Sequence, residues 1–185
     1  MIQEVYKEIE DLMKKALTAL HRDFASIRTG RANASLLDSI KVNYYGNLTP
    51  INQIATVSVP ESRLIVVQPW DPSALGEIEK AIMKSDLGIS PANDGKTIKL
   101  PIPELTEERR RELVKVVHKA AEKERVSIRN ARRDGNEKIK SLQKEKKITE
   151  DDTHRAQTEI QKMTDKYMER LETAVKSKEE EILKF

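Results

Sequence analysis

Two stretches of this chain repeat one series of steps. Leu113, Val117, Ala120, Glu124, Ile128, Ala131, Gly135, Ile139 and Leu142 are separated by 4, 3, 4, 4, 3, 4, 4 and 3 residues, and Ala156, Ile160, Met163, Tyr167, Leu171, Ala174, Lys178, Ile182 and Phe185 follow the identical series. Steps of three and four mark one face of an α-helix. The repeat is eleven residues long, about 3.67 residues per turn, so close to the ordinary 3.6 that the face stays aligned with little supercoiling. Each stretch therefore predicts a long, nearly straight helix of roughly 40 residues and roughly 60 Å. Lys147 to Thr149 reads as a short turn between them, with Thr149 as N-cap and Asp152 at the reach-back position. A short connection makes the two antiparallel neighbours. Two amphipathic helices cannot close a core alone. A third is available at the N-terminus, where Ile2, Val5, Ile9, Leu12, Ala16, Leu20, Phe24 and Ile27 recur at three and four up to a stop signal at Gly30.

Between these helices the pattern changes. Ile40 to Tyr45 is rich in β-branched and aromatic residues, Gly46-Asn47 is a turn candidate, and Ile51 to Val59, Arg63 to Gln68 and Thr97 to Leu100 are further strand candidates. Ser73 to Lys84 reads as a short helix with Ser73 as N-cap and Gly88 near its stop. Pro101 and Pro103 punctuate the exit. The predicted class is α+β: a long antiparallel three-helix bundle from residues 1–29 and 106–185, with a small β/α domain inserted at 31–104. Two short crossings, at Gly30-Arg31 and at Pro103-Glu104-Leu105, tie the parts together, an arrangement expected to act as a hinge.

Composition narrows the function classes. The chain has no cysteine, which removes disulfides, thiolate metal sites and cysteine nucleophiles and fits a reducing compartment, so a cytoplasmic location is expected. The charged, amphipathic N-terminus is not expected to direct export, and no run of about 18 apolar residues predicts a membrane span. Charge is unevenly spread. Residues 106–147 hold 15 Lys and Arg against 8 Asp and Glu, whereas 148–185 hold 7 against 10. A basic helix beside an acidic one points to nucleic acid or acidic partners for the first.

On a helical wheel, Arg111, Lys115, Arg125, Arg129, Arg132, Arg133, Asn136 and Lys140 fall in one stripe beside the apolar face, with only Glu122 intruding. Two readings stand open: a solvated charged face, or a surface that grips RNA phosphates. The four basic residues from 125 to 133 are all arginine, whose planar fork suits phosphate better than lysine does. Arg28-Thr29-Gly30-Arg31 can likewise be a helix terminus, a positive corner that meets phosphate, or both.

Other signals lack their context. Gly95-Lys96-Thr97 resembles the end of a phosphate loop, but Ser90 stands where the first glycine is required and strand, not helix, follows. His21, His118 and His154 have no second ligand at helical spacing. Trp70 and Tyr44-Tyr45 read as core or turn packing before a base-stacking platform.

Several runs resemble one family throughout the chain and in the right order: Ile27-Arg28-Thr29-Gly30-Arg31-Ala32, Leu36-Leu37-Asp38, Tyr44-Tyr45-Gly46, Thr49-Pro50-Ile51, Glu79-Lys80-Ala81-Ile82, Ser85-Asp86-Leu87-Gly88, Leu105-Thr106-Glu107-Glu108-Arg109-Arg110, Ile128-Arg129-Asn130-Ala131-Arg132-Arg133 and the ending Lys178 to Phe185. The sequence resembles the ribosome recycling factors. The resemblance implies an L-shaped two-domain protein that is not an enzyme and needs no cofactor or metal. It implies a cytoplasmic monomer that lies against large-subunit rRNA and works with elongation factor G and GTP to split post-termination ribosomes. It also implies rRNA contacts at Arg28, Arg31, Arg110, Arg129, Arg132 and Arg133, with Gly30 and Leu105 near the pivots. Arg110 points toward the apolar side of the wheel, and its position at the helix start is what would let it reach solvent. The alternative is a coiled-coil adaptor or scaffold that uses the acidic segment 148–185.

Overall fold

The computed structural model describes residues 1–184; Phe185, the last member of the predicted apolar series, lies outside the described residues. The chain divides into two compact units, Met1–Arg28 with Glu107–Lys184, and Thr29–Thr106.

The first unit is three packed α-helices: α1 (Ile2–Ser26), α3 (Glu107–Lys144) and α4 (Glu150–Lys184), while α2 (Leu75–Lys84) belongs to the other unit. The eleven-residue repeat is present, but its short step falls one place later than the sequence suggested at Met13, Ala121, Thr164 and Val175, while Ala131 is buried as expected. The buried faces are Val5, Ile9, Met13, Ala16, Leu17, Leu20 and Phe24 on α1, Leu113, Val117, Ala121, Glu124, Ile128, Ala131, Gly135 and Ile139 on α3, and Thr153, Ala156, Ile160, Thr164, Tyr167, Leu171, Val175 and Ile182 on α4. Met13, Ala121, Thr164 and Val175 thus replace the predicted Leu12, Ala120, Met163 and Ala174. At most of these places two apolar residues stand side by side, so hydropathy does not order the threes and fours; the neighbouring helices do. Leu12 is left 41% exposed while Met13 is fully buried. Thr164 qualifies because its hydroxyl donates to the Ile160 carbonyl at 2.8 Å, satisfying the polar atom inside the helix and leaving the methyl to pack.

Helix α1 stops at Ser26, short of the predicted Gly30. Ile27 is already extended, and the Ser26 hydroxyl turns back to the Asp23 carbonyl at 2.6 Å, a local bond that competes with the helix. Gly30 instead takes a left-handed conformation, φ 76°, within the connecting segment. The turn between α3 and α4 forms as predicted. Thr149 N–H donates to Asp152 Oδ2 at 3.1 Å, and Asp152 N–H donates to Thr149 Oγ1 at 3.1 Å, a reciprocal capping box.

At Gly135 the helices approach closely. A Cβ at this position would stand 1.8 Å from Ile9 Cδ1 and 3.3 Å from Ile160 Cδ1, so glycine lets α1 seat an isoleucine against α3. A mid-helix glycine costs about 1 kcal/mol of helix propensity relative to alanine, which this packing offsets.

The second unit joins a two-stranded hairpin, a four-stranded antiparallel sheet and one helix. Strands β1 (Lys41–Tyr44) and β2 (Asn47–Pro50) pair Tyr44 with Asn47, so the two-residue turn is Tyr45-Gly46 rather than Gly46-Asn47. Both turn residues have positive φ, 48° and 82°, matching the twist of a tight hairpin. The sheet runs β3 (Ala55–Glu61), β4 (Leu64–Pro69), β6 (Ile98–Pro101), β5 (Ala92–Asn93). Residues 51–53, predicted as strand, form a 3₁₀ turn before β3. Helix α2 (Leu75–Lys84) buries Ile78 and Ile82. Its approach is capped by Asp71, not Ser73: the Asp71 carboxylate accepts from Ser73 N–H at 2.9 Å and from its hydroxyl at 2.7 Å. Val42, Ile51, Ile65, Val67, Ile78, Ile82, Ile98 and Leu100 close a separate core. Within this unit both chain crossings attach to the β3–β4 turn. Ala32 N–H donates to the Ser62 carbonyl at 2.7 Å, Ile102 N–H donates to the Arg63 carbonyl at 2.8 Å, and Arg63 pairs with Glu104.

Candidate nucleic-acid interface

The basic stripe of α3 is graded along its length. At Arg125 all three guanidinium nitrogens are engaged: Nε and Nη2 donate to the two oxygens of Glu172 on α4 at 2.7 and 3.0 Å, and Nη1 donates to Glu122 at 3.2 Å. This bidentate bridge ties α3 to α4 and holds the Glu172 carboxyl below its usual range. One turn on, Arg129 Nη2 donates to the other oxygen of Glu122 at 2.6 Å. Arg129 and then Arg125 hold Glu122 below the usual carboxylate range. Among the described residues, Arg132 meets only a neutral amide, Gln161 Oε1, at 3.4 Å. Arg133 is exposed and, among the described residues, has no ion pair or hydrogen bond. Charge neutralisation falls away from residue 125 to residue 133.

Of the predicted contact residues, Arg129, Arg132 and Arg133 therefore come together at i, i+3 and i+4 on one strip. Arg110 does not join them. It lies 19 residues before Arg129 on the same helix, roughly 28 Å away at the ordinary rise, half-buried, with Nη1 donating to the Leu183 carbonyl at 2.8 Å. There it supplies a cation and a donor to the end of α4. Arg28 follows α1 and is exposed; Arg31, in the second unit, is exposed as well. Thr29 and Gly30 are buried, Pro103 and Glu104 exposed, and Leu105 half-buried.

A single helical wheel could not find Glu172. Its role depends on the register of α4 against α3, visible in the pairs Arg125–Glu172, Arg132–Gln161 and His118–Glu179. The acidic helix spends Glu172 and Glu179 on its own chain rather than presenting them to a partner helix.

Two other sequence features resolve clearly. In the segment resembling a phosphate loop, the Asp94 carboxylate accepts from Thr97 N–H at 2.7 Å, Lys96 N–H at 2.9 Å and the Thr97 hydroxyl at 2.8 Å. The donors a phosphate would need are already occupied, and these bonds lower the Asp94 carboxyl to about 2. Trp70 is not core: it is 65% exposed, its indole donating to Thr56 Oγ1 at 2.8 Å. Tyr44 and Tyr45 pack edge to face in the hairpin, and both hydroxyls donate to Asp71. No helix of the described residues is long and apolar enough to cross a membrane.

Comparison with known proteins supplies a frame for this geometry. The family model described as ribosome recycling factor matches residues 20–183. The ribosome-recycling factor of Carboxydothermus hydrogenoformans is 56% identical over 183 residues, 99% of each chain. That of Natranaerobius thermophilus is 53% identical over 184 residues, the full length of both. A solution structure of the ribosome recycling factor is similar with a TM-score of 0.76 at 43% identity, covering 100% of this chain and 98% of its own. A second similar structure, TM-score 0.65 and 49% identity over 99% of both chains, is the Thermus thermophilus factor in models of that factor and Escherichia coli elongation factor G bound to the E. coli post-termination complex. Identity above half over the whole length, with the matching fold, makes this chain a member of the ribosome recycling factor family.

Proposed function

We propose that this chain binds the post-termination ribosome in the cytoplasm and, with elongation factor G and GTP, promotes its separation into subunits, itself carrying out no bond chemistry. The observation that carries the reading is the arginine strip at 129, 132 and 133 on a long helix stiffened by its neighbours. Guanidiniums spaced along a rigid edge suit the phosphates and shape of folded RNA rather than base sequence. Arg28, Arg31 and Arg110 are the further rRNA contacts in this reading.

The crossings at Gly30-Arg31 and Pro103-Glu104-Leu105 serve as the hinge. Their inserted-unit ends are pinned to one turn at Ser62 and Arg63, so bending is confined to the few residues beyond Ala32 and Ile102. A stiff bundle then transmits a push from the GTPase as a load instead of flexing.

The test is a splitting assay with purified post-termination ribosomes, elongation factor G and GTP, paired with co-sedimentation at several salt concentrations. The double variant Arg129→Ala, Arg132→Ala is expected to bind more weakly and with a shallower salt slope while melting at nearly the same temperature. Ribosomes that stay intact with the native chain, or a double variant that binds as tightly as native, would overturn the reading.

A further inference from the structure

We propose that Glu122 is a built-in competitor for the phosphates that Arg129 would otherwise hold, setting the affinity of the arginine strip below its maximum. The inference rests on the RNA-binding reading above and adds a residue that tunes it. Its basis is the count and placement of charges. Arg125 and Arg129 face Glu172 and Glu122, two cations against two anions, so this half of the strip presents almost no net charge to a polyanion. Arg132 and Arg133 beyond it keep their full charge.

The two carboxylates differ in kind. Glu172 comes from α4, takes both prongs of Arg125 and joins two helices. Glu122 lies on the same helix as its partners, is 54% exposed, and already shares Arg125 with Glu172. Removing its charge breaks no bridge between helices. Its contact with Arg129 spans seven residues on the solvent side, at the edge where RNA phosphate would approach. Guanidinium has five donors, so Arg129 can reach phosphate with Glu122 in place, but only by sharing its charge. For a factor that binds, acts and leaves, an exposed internal anion keeps release fast, because affinity differences between related complexes lie mostly in dissociation rates.

Glu122→Gln keeps the shape and removes the charge. Equilibrium binding of the full chain to post-termination ribosomes should tighten about two- to fivefold at low salt, the range an exposed ion pair is worth. The dependence of log K on log salt should steepen by roughly 0.7–0.9, one further phosphate neutralised. The melting temperature should stay within a degree or two of native. In the double variant Glu122→Gln, Arg129→Ala the gain should vanish. If Glu122→Gln binds no tighter while Arg129→Ala binds more weakly, the competitor role is wrong and the strip stands. If the gain persists without Arg129, Glu122 acts by general repulsion and the competition is likewise refuted. If neither Arg129→Ala nor Arg132→Ala alters binding, the strip itself is misassigned, and this inference falls with it.

Discussion

The two units reach a closed core by opposite routes. In the bundle, burial recurs every eleven residues along three helices, so each layer meets only the turns beside it. In the inserted unit, Val42, Ile51, Ile65, Ile78, Ile98 and Leu100 come from most of its length to meet in one cluster. A lost side chain should therefore act locally in the first and globally in the second. Units of under about 80 residues rarely carry more than about 3–5 kcal/mol of stability, whereas truncating a buried isoleucine costs about 2–5 kcal/mol. Ile65→Ala should thus unfold most of the inserted unit near room temperature and leave the bundle standing. The chain's single tryptophan, Trp70, reports on the inserted unit, and helical ellipticity reports chiefly on the bundle. Fluorescence and ellipticity lost together in one transition would abolish the distinction.

Gly135→Ala sharpens the comparison from the bundle side. Overpacking costs about 1–3 kcal/mol, against about 1 kcal/mol regained in helix propensity. The net expectation is a loss of about 1–2 kcal/mol in chemical denaturation. Adding Ile9→Val removes the Cδ1 atom that the new methyl would strike, so in the Gly135→Ala background it should restore stability although alone it costs about 0.5–1.5 kcal/mol. Additive losses in the double variant would mean the contact at Gly135 does not govern the spacing of α1 and α3.

This contrast also explains what was legible in the sequence. The helices, their period and the Thr149–Asp152 cap are local, and residues a few positions apart carry them. The phase of the repeat is not local: Ala120 and Ala121 are chemically identical, and only contact with other helices decides which is buried. The same holds for the site. Arg129, Arg132 and Arg133 share a helix, so spacing alone places them together, whereas the Arg125–Glu172 bridge and the reach of Arg110 to Leu183 depend on how α4 lies against α3. In the inserted unit, β2 is not legible because its residues do not alternate in hydropathy, three of the four being polar or proline.

A smaller effect is expected at the bundle turn. Thr149→Ala removes the hydroxyl that accepts from Asp152 N–H and donates to the Asp152 carboxylate, which costs about 1 kcal/mol. Hydrogen exchange should speed up in the first turn of α4 and stay unchanged in the second unit. Loss of protection at β6 would show the two units to be energetically one.

The smallest effect, and the finest test, concerns the turn around Asp94. Three donors from Lys96 and Thr97 stabilise its ionised form, lowering its pKa from 3.8 to about 2. A carboxyl depressed in the folded state contributes stability that is present above the unfolded value near 3.8 and is lost as the pH falls through about 2. The group is fully exposed, so water screens the contribution and the turn, not the whole unit, should register it. A carbon-detected NMR titration should show the Asp94 carboxyl protonating near pH 2, with the Thr97 amide shift following the same curve. An Asp94 midpoint near 4 would mean the backbone donors are not held toward it. The segment would then have free N–H groups in the arrangement a phosphate requires, and its resemblance to a phosphate loop would have to be taken up again.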